Sequence, residues 1–242
     1  MTEQLPLPLR LESPLPQLAT FDFEGQGLLW RELTARRDGT VRTPLLLQGG
    51  PGTGKSHLLG AQLHAWLERD QPARLLPLRA LRAEAPDTLG LTSPEPSCWL
   101  LDDLDVVLGD RAWELALFAL LNRQHDACQP LLASVRRLPD AGAFALPDLC
   151  SRLTQLTRIE LTPLDAAGRR RLLKRRAQAL GLALSDVVLD WLEAHVSRDL
   201  RQLLELLAEL DRYSLSRGRR LTVPLVREWV QRRQREPGAD AD

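Results

Sequence analysis

The chain has 242 residues, of which 44% are hydrophobic and 26% are charged. This length allows one substantial domain and a small one, and the composition is that of an ordinary soluble protein. No apolar run approaches the roughly 20 residues that span a bilayer. The acidic, proline-rich N-terminus also differs from a signal peptide. We therefore expect a cytoplasmic protein that makes no contact with membranes.

The formal net charge of zero conceals an uneven distribution along the chain. Residues 1–160 carry 16 basic and 20 acidic side chains, whereas residues 161–236 carry 16 basic and 10 acidic ones. Arg169–Arg171 and Lys174–Arg176 form one basic segment in the C-terminal part. Such a run is usually a solvated helix face, although it also suits a contact with nucleic acid or an acidic protein.

Three cysteines, Cys98, Cys128 and Cys150, are scattered along the chain. An odd number without the paired spacing of a zinc site argues against a disulfide framework or a metal cluster. We expect all three to be small, buried, apolar residues.

Residues 1–17 are rich in proline, which predicts an extended arm without helix or central strand. Strands and helices then alternate over residues 18–163, a pattern that predicts a parallel α/β sheet with helices on both faces. The predicted strands lie near residues 43–48, 73–78, 98–102, 130–134 and 156–161, and the predicted helices near 56–69 and 111–125.

The strand signal disappears beyond Pro163. Residues 164–236 therefore predict a small all-helical domain, in which helical spacing of the apolar residues dominates. The predicted helices lie near residues 165–180, 186–196, 198–216 and 222–235.

Gly49–Ser56 matches the phosphate-binding pattern G-x-x-x-x-G-K-[ST] at each fixed position. A predicted strand precedes it and a predicted helix follows, as required for the loop N–H groups and the helix N-terminus to converge on phosphate. Lys55 is one of two lysines in the chain, and its compact ammonium suits the β- and γ-phosphates. The alternative is a glycine-rich turn that binds no ligand. The residues of this segment predicted to bind ADP or ATP are Gly50, Pro51, Gly52, Thr53, Gly54, Lys55, Ser56 and His57.

Two carboxylates, Asp102 and Asp103, follow the apolar strand that begins at Cys98. Asp102 is expected to bind Mg²⁺ together with the hydroxyl of Ser56, and Asp103 to orient or deprotonate the attacking water. The alternative is a helix-start cluster, in which Asp103 and Asp105 cap the following turn.

These motifs resemble those of the AAA+ ATPases, and within them the DnaA initiator group. GKSHLL at 54–59 is similar to GKTHL of DnaA, and LLDDLD at 100–105 is similar to its double-aspartate strand. The stretches GDRAWELALFALLNR at 109–123, LPDLCSRL at 146–153 and LTPLD at 161–165 are similar to the Hda group of DnaA-related regulatory proteins. The resemblance runs from residue 4 to about 230. It implies an AAA+ sheet domain with a helical lid, without the helix-turn-helix domain of DnaA.

The resemblance assigns roles to three further residues. Arg152 matches the arginine finger, which reaches the γ-phosphate of a neighbouring subunit. Arg198 matches sensor 2, a lid arginine that contacts the phosphates of the nucleotide, although an exposed arginine at a helix start is an alternative. Ser134 matches the sensor 1 region, where Arg136 stands in place of the usual acidic residue. This departure predicts slow hydrolysis in the chain's own site.

The N-terminal arm contains Gln-Leu-Pro-Leu-Pro-Leu at residues 4–9, which resembles the clamp-binding motif of the Hda group. The resemblance implies docking on the β sliding clamp of the replicative polymerase. Gln4 would supply a directional amide contact and the leucines would fill an apolar groove. The predicted clamp-binding residues are Gln4, Leu5, Leu7 and Leu9.

Two functions remain open from the sequence. In the first, the chain is a regulator that binds ADP or ATP with Mg²⁺ and contacts DNA indirectly, through the clamp. Its Arg152 promotes hydrolysis of the ATP bound to DnaA. In the second, it is a helicase loader or DNA remodeller resembling DnaA or DnaC, and turns over ATP itself with Asp103. The regulator is expected in the cytoplasm, on the nucleoid through the clamp. The resemblance also allows a homo-oligomer.

Overall fold

The computed structural model describes Leu18, Phe21, Phe23 and residues 26–91, 96–197 and 199–235. These residues divide into two compact units at the bond between Pro163 and Leu164. Within the described part, no helix is both long enough and apolar enough to cross a bilayer. Five predicted site residues lie outside the described residues, namely Gln4, Leu5, Leu7, Leu9 and Arg198.

The first unit is built on one five-stranded sheet in which every paired strand is parallel. Its order is β2-β3-β4-β1-β5. Each strand lies within two residues of its predicted bounds, and the predicted parallel sheet is confirmed. The strands are β1 (Leu45–Gln48), β2 (Ala73–Pro77), β3 (Cys98–Asp102), β4 (Leu131–Val135) and β5 (Thr157–Glu160).

Helices connect the strands, as parallel pairing requires. Those described in the first unit are α1 (Gly27–Arg37), α2 (Lys55–Leu67), α3 (Leu78–Leu81), α4 (Arg111–Asp126) and α5 (Pro147–Thr154). Sequence periodicity predicted α2 and α4 but missed the other three. The reason is clear for α1, whose buried side chains are Leu29, Leu33 and Arg36, because a charged residue interrupts the apolar stripe.

Both faces of the sheet are buried, because neighbouring residues of a strand point to opposite faces. Leu46 of β1 lies in one hydrophobic cluster with Leu117 of α4 and Leu149 of α5. Leu45, on the other face, lies in a second cluster with Leu58 of α2. These two clusters explain why the sequences of β1, β3 and β4 are apolar runs without alternation.

The second unit is all-helical, as predicted, and has its own apolar core. The side chains of Asp165, Ser185 and Asp199 accept hydrogen bonds from backbone N–H groups at the starts of three helices. These caps mark the helix boundaries that the sequence predicted to within two residues. The helices are α6 (Ala166–Ala179), α7 (Asp186–His195), α8 (Leu200–Arg217) and α9 (Val223–Arg235).

The basic segment of α6 is partly neutralised within this unit. Arg170 donates hydrogen bonds to Glu193 at 2.9 Å and to Asp190 at 2.7 Å. The Lys174 ammonium lies 2.7 Å from a carboxylate oxygen of Asp186. These contacts favour a solvated helix face over a free basic surface at this part of α6.

The prediction that all three cysteines are buried is wrong. Cys98 is buried in β3, whereas Cys150 is intermediate and Cys128 is exposed. Cys128 lies in the turn after α4 with a φ of 50°. This turn ends the helix at the surface, where the apolar periodicity of α4 no longer applies.

Candidate nucleotide site

The phosphate-binding motif forms the connection between β1 and α2, as its sequence context predicted. Gly54 precedes α2 with a φ of 88°, a left-handed conformation that favours glycine. A Cβ added there would lie 2.5 Å from a ring carbon of Phe21. At Gly49, a Cβ would lie 2.7 Å from the carbonyl oxygen of Leu161. The close approach of these neighbours requires glycine at both positions.

Lys55 begins α2, and its side chain is only 7% exposed. Its ammonium donates hydrogen bonds to the carbonyl oxygens of Gly49 at 2.7 Å and Gly50 at 2.9 Å. Burial lowers the pKa of Lys55, and the nearby carboxylates of Asp103 and Asp102 oppose this change. The ammonium therefore lies folded over its own loop, with one of its three donors left for an anion.

The two predicted carboxylates meet the predicted sensor residue at the carboxyl ends of β3 and β4. The Ser134 hydroxyl donates to a carboxylate oxygen of Asp102 and accepts from the backbone N–H of Asp103 at 2.9 Å. Ser134 is fully buried, so this contact is protected from water. Ser134 thus fixes both acidic residues relative to each other.

Asp103 also forms an ion pair that the sequence did not predict. Its Oδ2 accepts a hydrogen bond from the Arg79 Nε at 2.7 Å. The side chain of Asp103 makes no capping hydrogen bond to the turn that follows it. Asp105 instead accepts a hydrogen bond from the backbone N–H of Arg136 at 3.1 Å. The alternative prediction, in which Asp103 and Asp105 cap this turn, is therefore wrong.

The residues of this site fit a magnesium nucleotide. A buried ammonium without a carboxylate hydrogen-bond partner lies beside a loop whose residues Gly50 and Gly52 leave open space around them. Within the described chain, no cluster of three or more His, Cys, Asp and Glu side chains could hold a metal by itself. Mg²⁺ commonly needs only one or two protein ligands beside the phosphates. Ser56, exposed in the first turn of α2, and Asp102 are the residues that suit it.

An aromatic group that the sequence reading missed borders the loop. Phe21 lies against Gly54, and its ring centroid is 4.7 Å from that of Phe23 and 6.2 Å from that of His57. Phe23 in turn meets Trp30 edge to face. The two phenylalanines at positions 21 and 23, just before α1, were the available sequence signal. Flat apolar rings beside a phosphate loop suit contact with a nucleoside.

Arg152 lies elsewhere on the first unit, in α5. Its Nη2 donates a hydrogen bond to the Asn122 side-chain oxygen of α4. None of the contacts described for Arg152 joins it to Lys55, Asp102 or Asp103. The structure thus brings together the loop, the carboxylates and Ser134, whereas the contact described for the predicted finger is with Asn122.

A buried carboxylate fixes the segment that leads to Arg152. Glu114 of α4 is fully buried. One of its oxygens accepts from the backbone N–H of Gly109 and the other from that of Leu146, both at 2.6 Å. Leu146 is the residue immediately before α5. Glu114 therefore links α4 by a hydrogen bond to the residue before α5, and α5 is the helix that carries Arg152.

Solved structures of other proteins have a similar fold. The chain matches domain III of the Thermotoga maritima replication initiation protein DnaA with a TM-score of 0.70 and 20% identity, over 90% of this chain and 100% of that one. It also matches AMPPCP-bound DnaA from Aquifex aeolicus with a TM-score of 0.68 and 20% identity, over 91% of this chain and 70% of that one.

The helical unit decides the family. A family model described as the lid domain of Hda matches residues 166–230, the region of α6 to α9. The chain belongs to the Hda/DnaA-related AAA+ proteins. A relative, an uncharacterised protein of Haemophilus influenzae, is 33% identical over 232 residues, which are 94% of this chain and 98% of that protein.

Proposed function

We propose that this AAA+ protein regulates the initiation of DNA replication by promoting hydrolysis of DnaA-bound ATP. It acts together with the β sliding clamp loaded on DNA, and it leaves DnaA in the inactive ADP form. The observation that carries the proposal is that the side-chain contact described for Arg152 is with Asn122 and not with the chain's own carboxylates, in a chain whose residues 166–230 match the Hda lid. An arginine placed there is available to a partner's nucleotide.

The chain's own site binds ADP or ATP in this proposal. Backbone N–H groups of Gly52–Lys55 surround the phosphates, and Lys55 neutralises part of their charge. Ser56 and Asp102 would hold Mg²⁺, which would neutralise part of the negative charge of the phosphates. The phosphate loop and AMPPCP-bound DnaA among the structural matches support nucleotide binding.

Hydrolysis in the chain's own site is slow in this proposal. We assign Asp103 as the carboxylate that accepts a proton from the attacking water, but one of its two oxygens already accepts a hydrogen bond from Arg79. The ion pair with Arg79 competes with the water for this carboxylate. The nucleotide in this site therefore acts mainly as a bound ligand that is slowly turned over.

Arg152 acts on the ATP of DnaA. Its guanidinium has five N–H donors, and the contact with Asn122 uses one side of it. The remaining donors are able to bind phosphate oxygens as negative charge develops in the transition state. An arginine finger supplied by a partner accelerates hydrolysis by about 10³–10⁵-fold in the best cases.

The N-terminal arm tethers the protein to the clamp. Residues 4–9 resemble a clamp-binding motif, and prolines reduce the entropy lost when such a segment is ordered. A tether to clamp on DNA raises the local concentration of the regulator near DnaA without any new contact to DnaA itself. The protein is therefore expected in the cytoplasm, on the nucleoid through the clamp.

Reconstitution tests the proposal. Radiolabelled ATP is bound to DnaA, and its hydrolysis is followed with the chain, clamp and DNA together and with each component omitted. We expect rapid conversion to ADP only when all of them are present. Hydrolysis of DnaA-bound ATP at the same rate without the chain would contradict the proposal. DNA-stimulated turnover of free ATP by the chain alone would support the helicase-loader function instead.

A further inference from the structure

The last two helices of the lid carry a concentration of exposed arginines to which the proposed function gives no role. Residues 212–233 contain seven arginines and a single acidic side chain, Glu228. The exposed arginines are Arg212, Arg217, Arg219, Arg220, Arg227, Arg232 and Arg233. The basic segment of α6 differs, because its cations pair with three acidic side chains of α7. The excess of positive charge at the end of the lid therefore has fewer acidic partners.

Three of these residues, Arg217, Arg219 and Arg220, form a cluster that we call the arginine patch. The Arg219 Nη1 donates a hydrogen bond to Glu228 Oε2 at 3.0 Å, and the Arg217 Nη2 lies 3.6 Å from Glu228 Oε1. The hydroxyl of Tyr213 donates to the same Oε1 at 2.8 Å. One carboxylate is thus shared by two guanidinium groups and a phenol, and Arg220 follows directly in the chain. The patch therefore keeps a net positive charge.

The backbone of the arginine patch is held in place at the end of α8. Gly218 ends the helix with a φ of 59°, a left-handed conformation that favours glycine. The backbone N–H of Arg219 donates to the carbonyl oxygen of Ser214 at 3.2 Å, and the Ser214 hydroxyl donates back to the Arg219 carbonyl. Leu221, which follows Arg220, is buried in the core of the lid. The arginines therefore extend from a fixed turn.

The guanidinium groups of the patch have donors left for an anion. Among the described residues, no carboxylate pairs with Arg220, and Glu228 engages only part of the donors of Arg217 and Arg219. The surroundings are also poor in exposed apolar side chains, since Leu215 is the one large apolar residue exposed within the described residues 212–233. Protein interfaces have an apolar centre with few charges. This surface therefore suits the phosphates of a nucleic acid better than a protein.

The structure also favours a duplex over a single strand. Single strands are bound mainly by aromatic rings on which the bases stack. The ring of Tyr213 is half-buried, its hydroxyl is bound to Glu228, and the Arg217 guanidinium lies 5.3 Å from its centroid. The aromatic ring beside the patch is thus already covered, and the remaining contacts are those of guanidinium groups with a phosphate backbone.

We propose that the arginine patch binds the phosphate backbone of double-stranded DNA directly and without reading its sequence. This contact goes beyond the proposed function, in which DNA is reached through the clamp, and it does not depend on that function. A duplex carries one phosphate charge per about 1.7 Å of its axis. Guanidinium groups bind phosphate oxygens in pairs of parallel hydrogen bonds. Arginines from the end of α8 and from the turn that follows therefore bind neighbouring phosphates.

The test measures binding of a short fluorescein-labelled DNA duplex to the full chain by fluorescence anisotropy, over a series of salt concentrations. Arg220→Ala is compared with Arg201→Ala, which removes the same charge from an exposed position at the other end of α8. Each lost phosphate contact lowers the slope of log affinity against log salt by about 0.9. We expect Arg220→Ala to lower the slope by about 1 and to raise the Kd severalfold on duplexes of any sequence.

The companion variants separate position from charge. Arg201→Ala leaves the slope and the Kd at wild-type values, because Arg201 pairs with Glu205 away from the patch. Arg220→Lys keeps the slope, since a phosphate contact needs the charge more than the shape of the side chain. Replacement of Arg217, Arg219 and Arg220 together by Ala lowers the slope by about 2–3.

Four results would overturn the inference. They are absence of duplex binding by the wild type at low salt, an equal loss in Arg201→Ala, tighter binding of a single strand of the same length, and displacement of the duplex by polyglutamate as readily as by unlabelled duplex. The last of these assigns the patch to acidic proteins. The assay contains no clamp, DnaA or nucleotide, so a negative result leaves the proposed function intact. A chain that fails to stimulate DnaA likewise leaves the DNA contact intact.

Discussion

The buried positive charge of Lys55 lowers the free energy of unfolding of the chain. Burial lowers its pKa below the ordinary 10.5, against the opposing effect of nearby carboxylates. The folded chain thus binds this proton less tightly than the unfolded chain does. The ammonium therefore reduces stability fully at pH values below the lowered pKa, and the reduction fades as the pH rises from that pKa to 10.5.

The first prediction follows from this loss of stability. Lys55→Met removes the buried charge, so we expect a higher Tm than that of the wild type at pH 7 in the absence of nucleotide. The difference should shrink as the pH approaches 10.5. Addition of ADP should raise the Tm of the wild type only, since bound ligand stabilises the folded state and the variant lacks its phosphate cation. A variant that is less stable at pH 7, or that ADP still stabilises, would contradict this interpretation.

The second prediction concerns Arg79, which pairs with Asp103 at 2.7 Å. If this ion pair keeps the carboxylate from the attacking water, Arg79→Ala should increase the chain's own ATP turnover severalfold. Arg82→Ala, an exposed arginine at the end of the same short helix, is the matched control and should leave turnover unchanged. Turnover is measured as phosphate release without DnaA. A decrease in Arg79→Ala would show that Arg79 assists hydrolysis.

Contacts between residues distant in the chain limit what the sequence predicts about the site. The phosphate loop and the acidic pair are each made of residues that are consecutive in the sequence. The apolar strand before each of them predicted where in the fold it lies. Arg79 and Asp103 are 24 residues apart, and Arg152 and Asn122 are 30 apart. Such pairings depend on the strand order of the sheet, which the spacing of apolar residues does not specify.

At the scale of elements, the buried carboxylate of Glu114 in α4 accepts a hydrogen bond from the residue that precedes α5. The Glu114 carboxylate accepts from two backbone N–H groups in a site closed to water. Carboxylates that accept charge-assisted hydrogen bonds stabilise the ends of the segments that donate them. Glu114 thereby fixes the entry to α5, the helix that carries Arg152.

The third prediction replaces this acid by its amide. Glu114→Gln puts an NH₂ group opposite one of the two N–H donors, so we expect the free energy of unfolding to fall by about 1–3 kcal/mol. Glu84→Gln, at an exposed position, should change it by less than about 0.5 kcal/mol. Urea denaturation of both variants measures the difference. Equal stability of the two variants would show that Glu114 is not a structural acid.

The elements themselves were predictable where burial is complete. The central strands β1, β3 and β4 are buried on both faces and gave continuous apolar runs that marked them within two residues. The short helix α5 was missed because it buries only Leu149 and Leu153. Two apolar positions are too few to establish a helical period. Helix α1 was missed because Arg36, which is 1% exposed, lies in its buried stripe.

At the scale of the whole molecule, the sheet unit and the helical lid have different roles. The sheet unit contains the proposed nucleotide site and Arg152. The lid supplies the family assignment through residues 166–230. Within the lid, acidic side chains of α7 pair with Arg170 and Lys174 of the basic segment of α6.

The fourth prediction concerns the arm, which the sequence alone supports. Gln4→Ala should weaken binding of the chain to the clamp by about tenfold, because a directional amide contact to an apolar groove is lost. Gln17→Ala removes the same amide near the other end of the arm and should leave the affinity unchanged. Surface plasmon resonance with immobilised clamp measures both. Equal affinities for the two variants would remove clamp docking from the proposal.

The central claim is that Arg152 completes the ATP site of DnaA, and single-turnover hydrolysis of DnaA-bound ATP with clamp and DNA tests it most directly. We expect Arg152→Ala to lower the stimulated rate by at least about 10²-fold while its own ADP binding and clamp binding stay at wild-type levels. Arg158→Ala, an exposed arginine of the nearby strand β5, should retain full stimulation. Full stimulation by Arg152→Ala would contradict the account.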